Sequence, residues 1–121
     1  TPLVGAVNAL FAGAENPFAD PGIAFHPVTA AGRAEETPLR IGGERPAPLV
    51  FWFLERDEDG KPVGKTEART RVVRAVASEI VALLDGRAVI GAKPVTPGNI
   101  AVLVSSHAEA SHVEAALRAV N

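Results

Sequence analysis

A glycine-containing loop at Gly60–Thr66 comes closest in this sequence to a nucleotide-binding motif. In a loop of the form G-x-x-x-x-G-K-[ST], backbone amides surround a phosphate, the lysine neutralises it and the hydroxyl binds magnesium. Here only three residues separate the two glycines, Asp59 stands where the first glycine belongs, and Pro62 removes one amide. The spacing therefore favours a solvated turn before a helix. A small nucleotide-binding protein that uses Gly60–Thr66 is the alternative.

A second polar cluster, Ser105-Ser106-His107, follows the apolar run 100–104 and precedes a helical pattern. Ser106 and Glu109 have the S-x-x-E spacing of a capping box, which predicts that Ser106 caps this helix. The carboxyl end of a strand and the amides of a helix start are also places where α/β proteins bind anions. Contact of this cluster with a DNA phosphate is therefore the alternative to simple capping.

Metal and covalent chemistry find little support in the sequence. His107-x-Glu109 matches half of the zinc deaminase signature, but the other half requires cysteines and the chain has none. His112 is five residues from His107, which is a poor spacing for two ligands on one helical face. No paired carboxylates or Ser/His/Asp arrangement stand out. We predict no catalytic residue, metal site or cofactor site within this segment.

Composition predicts one soluble domain. The 121 residues are 47% hydrophobic and 21% charged, with a net charge of −2, whereas free-standing nucleic-acid binders are usually basic. The lack of cysteine fits a cytoplasmic protein, and no apolar run is long enough to suggest a membrane helix. Methionine is also absent, which favours a piece of a longer protein.

Apolar periodicity predicts helices joined by short strands. The expected helices are Leu3–Phe11, Lys65–Asp85 and one that begins at Ser106. The expected strands are Ile23–Ala30, Pro38–Ile41, Leu49–Leu54 and 100–104, with a turn at 96–99.

The run Leu49–Leu54 (LVFWFL) reads as a central strand buried on both faces. Trp52 and Phe53 could stack on nucleic-acid bases, but a continuous apolar run favours core packing. A buried strand, a long helix and a second buried strand at 100–104 form a βαβ unit. This order predicts an α/β fold with a small, mostly parallel sheet flanked by helices.

Residues 1–33 (TPLVGAVNALFAGAENPFADPGIAFHPVTAAGR) and 94–121 (PVTPGNIAVLVSSHAEASHVEAALRAVN) match known motifs in order. The first resembles the family pattern "VNALF…NPF…I.F.PV.AAGR", and the second resembles "RPVRPGDIAVLVRSHREA". Both belong to the exodeoxyribonuclease V beta subunit family, the RecB-like branch of the UvrD-type superfamily 1 DNA helicases. The resemblance covers nearly the whole chain and is weakest at residues 56–70.

The resemblance implies that residues 1–121 are the first part of the second RecA-like motor domain, which lacks the P-loop. The parent would be an ATP-dependent helicase and exonuclease in double-strand-break repair, with DNA, RecC-like and RecD-like subunits as partners. ATP and Mg²⁺ would bind to the parent outside this segment, which would be inactive alone. Ser106 and His107 match the family's "RSH" and are the candidate DNA-facing residues, whereas Ser105 replaces its arginine. A non-enzymatic α/β interaction domain is the competing interpretation.

Overall fold

The computed structural model describes residues 1–120, apart from the side chain of Ala34. The last residue of the predicted domain, Asn121, lies outside the described residues. The elements in chain order are α1 (Pro2–Ala12), α2 (Arg33–Glu36), β1 (Leu39–Ile41), α3 (Lys65–Leu84), β2 (Ala88–Ile90), β3 (Lys93–Pro94) and α4 (His107–Ala119). A short 3-10 helix, Pro97–Asn99, precedes α4. Among these residues, no helix is both long enough and apolar enough to span a membrane.

The three predicted helices are confirmed, and local signals mark where they begin or end. Proline in the first turn of α1 has a backbone angle that already suits a helix. Helix α3 begins after Gly64 and ends at Leu84, and Gly86, two residues later, takes a left-handed conformation with φ of 89°. The predicted turn at 96–99 is the 3-10 helix, in which Thr96 and Asn99 cap each other.

The sheet differs from the prediction. Strands β1, β2 and β3 form one antiparallel sheet in that order, so the expected mostly parallel RecA-like sheet is wrong. The predicted strand at Pro38–Ile41 is confirmed as β1. The sequence interpretation missed the β2–β3 hairpin, whose turn has Gly91 at φ of 62° in its first loop position, as a type II′ turn requires.

The two expected central strands are not strands. Leu49–Leu54 and 100–104 pair with no other segment of the described chain. Trp52 and Phe53 are exposed rather than packed in a core. A strand forms only where a neighbour accepts and donates its backbone hydrogen bonds, and apolar composition cannot show whether that neighbour exists. Without these two strands there is no βαβ unit.

Residues Ile23–Ala30 also form no strand, and the side chains of α1 explain their position. Asn8 donates from Nδ2 to the Val28 carbonyl at 2.8 Å and accepts from the Val28 amide at 3.2 Å. Phe11 lies between Phe18 and Phe25, with ring centroids 5.3 Å from each. The loop after α1 is therefore folded back onto the helix by side-chain contacts instead of a backbone ladder.

The buried core is small. Among the described residues only Ala77, Ala88 and Val95 are buried hydrophobic residues. Ala77 belongs to α3, which packs against α4, and Ala88 and Val95 belong to the β2–β3 hairpin and the residue after it. The Val95 amide donates to the Ala88 carbonyl at 2.9 Å. The packing of α3 against α4 places the start of α4 next to the start of α3.

Candidate nucleic-acid interface

Helix α4 begins at a cap made by three neighbouring side chains. Ser106 is the N-cap, and its Oγ accepts a hydrogen bond from the Glu109 amide at 3.3 Å. The Glu109 carboxylate accepts from both the amide and the hydroxyl of Ser105, each at 2.8 Å. The predicted capping role of Ser106 is confirmed. In a capping box the Glu109 carboxylate would also accept from the Ser106 amide, but here it accepts from the amide of Ser105, the residue before the cap.

Glu109 is electrostatically stabilised in its charged form. Hydrogen bonds from the Ser105 amide and then from its hydroxyl hold the pKa of Glu109 below its ordinary value of 4.5. The positive charges of Arg69 and Lys65 on α3 lower this pKa further. The Ser105 amide, just before α4, therefore already faces an internal anion, which competes with any external phosphate.

Protonation of Glu109 should weaken the cap. Because the folded-state pKa is lowered, the contribution of Glu109 to stability is present above pH 4.5 and is lost as the pH falls through the folded-state value. We expect Glu109→Gln to reduce the loss of α4 stability between neutral and acid pH. The measurement is urea unfolding followed by circular dichroism at pH 7 and pH 3. Ser105→Ala, which keeps the amide donor, should have an intermediate effect, and an unchanged pH dependence in Glu109→Gln would contradict the assignment.

The structure brings Ser106 and His107 to one exposed corner of the molecule. The Ser106 hydroxyl is engaged as an acceptor in the cap, whereas the His107 side chain is exposed at the first position of α4. Together with Ser105 and Ala110 they line a shallow depression. Both side chains are exposed and accessible to a phosphate, because the Ser106 hydroxyl still has its proton to donate.

Sequence reasoning missed two cations beside this corner. Lys65 and Arg69 line a groove between α3 and α4 that also includes Glu109 and residues 102–104. They are four residues apart, so they lie on one face of α3 near its N-terminal end. That spacing could have indicated the pair, but only the packing of α3 on α4 places it next to Glu109, in the first turn of α4.

The glycine loop before α3 is closed by its own hydrogen bonds. The Gly60 amide donates to the Asp57 carbonyl at 2.9 Å, and the Lys61 amide donates to the Asp57 carboxylate at 2.7 Å. Arg56 donates to the Gly60 carbonyl at 3.0 Å, and Lys61 lies 3.7 Å from the Asp59 carboxylate. Two amides of the loop, those of Gly60 and Lys61, are therefore donated inside the turn, as in an ordinary solvated turn.

Nucleotide binding by this loop can be tested directly. We expect calorimetric titration of MgATP into the chain to give no saturable heat, and the same result for Lys65→Ala. The acidic residues of the loop repel phosphate, and two of its amides already have acceptors. Micromolar binding that disappears in Lys65→Ala would instead establish a phosphate site at Gly60–Thr66.

The histidines form no metal centre in the part of the chain that the structure describes. No group of three or more His, Cys, Asp or Glu side chains is positioned there to share a metal ion. His107 and His112 are both exposed on α4. The arrangement can present charge and hydrogen-bond donors to a ligand.

Comparison with known proteins gives one similarity. The chain is 29% identical over 123 residues to the RecBCD enzyme subunit RecB of Escherichia coli strain K12. The aligned region covers 95% of this chain and 10% of that protein, so the chain spans about a tenth of the length of its relative. No protein-family model and no solved structure matches the chain. The capped corner and the helices that build it thus belong to a chain that is similar to a region of RecB.

Proposed function

We propose that this chain is a segment of a RecB-type subunit of an ATP-dependent DNA helicase and exonuclease that acts in double-strand-break repair. The observation that carries the proposal is the similarity to RecB, which extends over 95% of the chain. The segment would belong to the motor domain that lacks the P-loop, would be inactive alone and would work in the cytoplasm. RecC-like and RecD-like subunits would be its partners, and ATP with Mg²⁺ would bind elsewhere in the parent.

The geometry supports a contact with the DNA backbone at the α3–α4 corner. His107 is exposed there, and Lys65 and Arg69 lie on α3 beside Glu109, two residues further along α4. Ser106 would hold the start of α4 through its acceptor role in the cap and would donate its hydroxyl proton to the phosphate. Cations next to a helix start attract phosphate without reading base sequence. The segment would therefore contribute to the surface that tracks single-stranded DNA.

The proposal for the parent is tested by the gene and by the enzyme it encodes. The reading frame should continue beyond these residues and should carry an N-[YW]-R-S motif immediately before Thr1. The longer protein, purified with its co-expressed partner subunits, should unwind and degrade linear double-stranded DNA only with MgATP. A reading frame without helicase motifs, or a longer protein without ATP-dependent activity on DNA, would refute the proposal.

The DNA contact has its own prediction. We expect Arg69→Gln to weaken binding of a fluorescently labelled single-stranded oligonucleotide and to reduce the slope of log K against log salt by about 0.7, the value for one phosphate contact on single strands. The measurement is fluorescence anisotropy over a range of salt concentrations. Arg71→Gln is the matched control, because Arg71 pairs with Glu67 at 2.7 Å on the same helix. Equal slopes in the two variants would place the DNA elsewhere.

A further inference from the structure

An apolar groove lies between α3 and α4, and we call it the arginine groove because two arginines, Arg69 and Arg74, line it. Its volume is about 320 Å³, and its apolar lining includes Val73 and Ala77 of α3 and Ala116 of α4. The lining on α3 extends from Arg69 to Ala77, which is about 12 Å, or about two helical turns. A groove of this length and volume can receive the side chains of a short helix.

The arginine groove is a different part of the α3–α4 contact from the proposed DNA contact. Lys65, Glu109 and residues 102–104 line the other groove and do not line this one. Arg69 lines both grooves, and its charge also lowers the pKa of Glu109. Arg74 lines the arginine groove and not the other, so a substitution at Arg74 tests the arginine groove separately.

The charged residues that line the arginine groove are all basic. The two arginines of α3 and α4 that lie outside it, Arg71 and Arg118, each pair with a glutamate four residues earlier on the same helix. The two that line it, Arg69 and Arg74, form no ion pair within residues 1–120, and no Asp or Glu of that range lines the groove. His112 adds a further basic side chain. A ligand that carries a carboxylate next to apolar groups would therefore complement this surface.

Nucleic acid and a second copy of the chain both match this groove poorly. No aromatic side chain of the described residues lines it, whereas surfaces that bind single strands combine a positive groove with aromatic rings on which bases stack. Phosphate contacts alone would leave the alanine and valine side chains uncovered. A two-fold contact between copies through this groove would bring the same basic residues of both chains together, and like charges repel.

We propose that the arginine groove binds an acidic amphipathic helix of another protein. Apolar side chains of that helix at positions i, i+4 and i+7 would cover Val73 and Ala116, and a carboxylate beside them would pair with Arg74. The span from i to i+7 is about 10.5 Å, which matches the length of the groove. A guanidinium holds a carboxylate through two parallel hydrogen bonds, so this pair would also orient the helix. The proposal does not depend on DNA unwinding, because it uses only residues that line the groove between α3 and α4.

Three labelled synthetic peptides of about four helical turns test the proposal by fluorescence anisotropy. All have leucine at i, i+4 and i+7, and they differ only in the flanking residues, which are glutamate, glutamine or lysine. We expect the glutamate peptide to bind the chain about tenfold more tightly than the glutamine peptide, and the lysine peptide to bind most weakly. Arg74→Gln should remove this preference by weakening the glutamate peptide about tenfold. Arg71→Gln is the matched control and should bind like the unchanged chain, because Arg71 already pairs with Glu67.

A second pair of variants tests the apolar part of the groove. Ala115 is exposed and lines the groove, so Ala115→Leu should fill it and weaken all three peptides, whereas Ala75→Leu, at an exposed position of α3 outside the groove, should not. No binding of the glutamate peptide, equal affinities of the glutamate and lysine peptides, or undiminished binding by Arg74→Gln would overturn the proposal. Displacement of the peptide by a single-stranded oligonucleotide whose own affinity falls in Arg74→Gln would assign the groove to nucleic acid. Dimers in analytical ultracentrifugation that Ala115→Leu dissociates would assign it to a second copy, and either result would also overturn the proposal.

Discussion

Replacement of Ala77 by leucine should destabilise the chain by about 1–3 kcal/mol, the usual cost of forcing extra methylene groups into a packed site. Ala77 is 1% exposed and lies where α3 packs on α4. Three alanines of α4 line the same groove, Ala115, Ala116 and Ala119. Small side chains on both helices allow a close approach, so a leucine would push the helices apart. Urea unfolding followed by circular dichroism measures the effect.

Ala75→Leu is the matched control for this experiment. Ala75 is in the same helix two residues earlier, but its side chain is exposed. The same substitution there should change the free energy of unfolding by no more than about 0.5 kcal/mol. If both variants were equally stable, the close contact of α3 with α4 would not contribute to the stability of the chain.

Phe11→Ala should cost about 2–3 kcal/mol, somewhat less than the 3–5 kcal/mol for a fully buried phenylalanine, because Phe11 is half-buried. Phe11 is the central ring of three, and Phe18 and Phe25 lie farther from each other, at 6.5 Å, than either does from Phe11. Loss of the central ring removes both of its aromatic contacts at once. We expect the loop after α1 to detach, which would speed amide exchange at Val28.

Leu10→Ala is the control for the aromatic cluster. Leu10 precedes Phe11 in α1 and is 51% exposed. Its truncation should cost less than 1 kcal/mol and should leave exchange at Val28 slow, because Asn8 and the three rings remain in place. Equal losses of stability in the two variants would mean that the rings do not hold the loop.

The helices were predictable because the interactions that start and end them are local in the sequence. Ser106 caps α4, Gly86 follows the end of α3, and Pro2 begins α1. Each feature depends on residues within one or two turns, so a short stretch of sequence contains all of the interacting groups. The candidate site was predictable only in part. The helix start indicated Ser106 and His107, whereas it did not indicate Lys65 and Arg69.

The sequence by itself determined the three long helices, the cap at Ser106 and the strand composition of Leu49–Leu54 and 100–104. Only the tertiary structure decided that these two apolar segments have no partner within the described chain and that the sheet is antiparallel. The tertiary structure also placed Lys65 and Arg69 beside Glu109. The physical reason is that helix hydrogen bonds join residues four apart, whereas strand pairing and charge clusters join residues distant in sequence, whose neighbours no local pattern specifies.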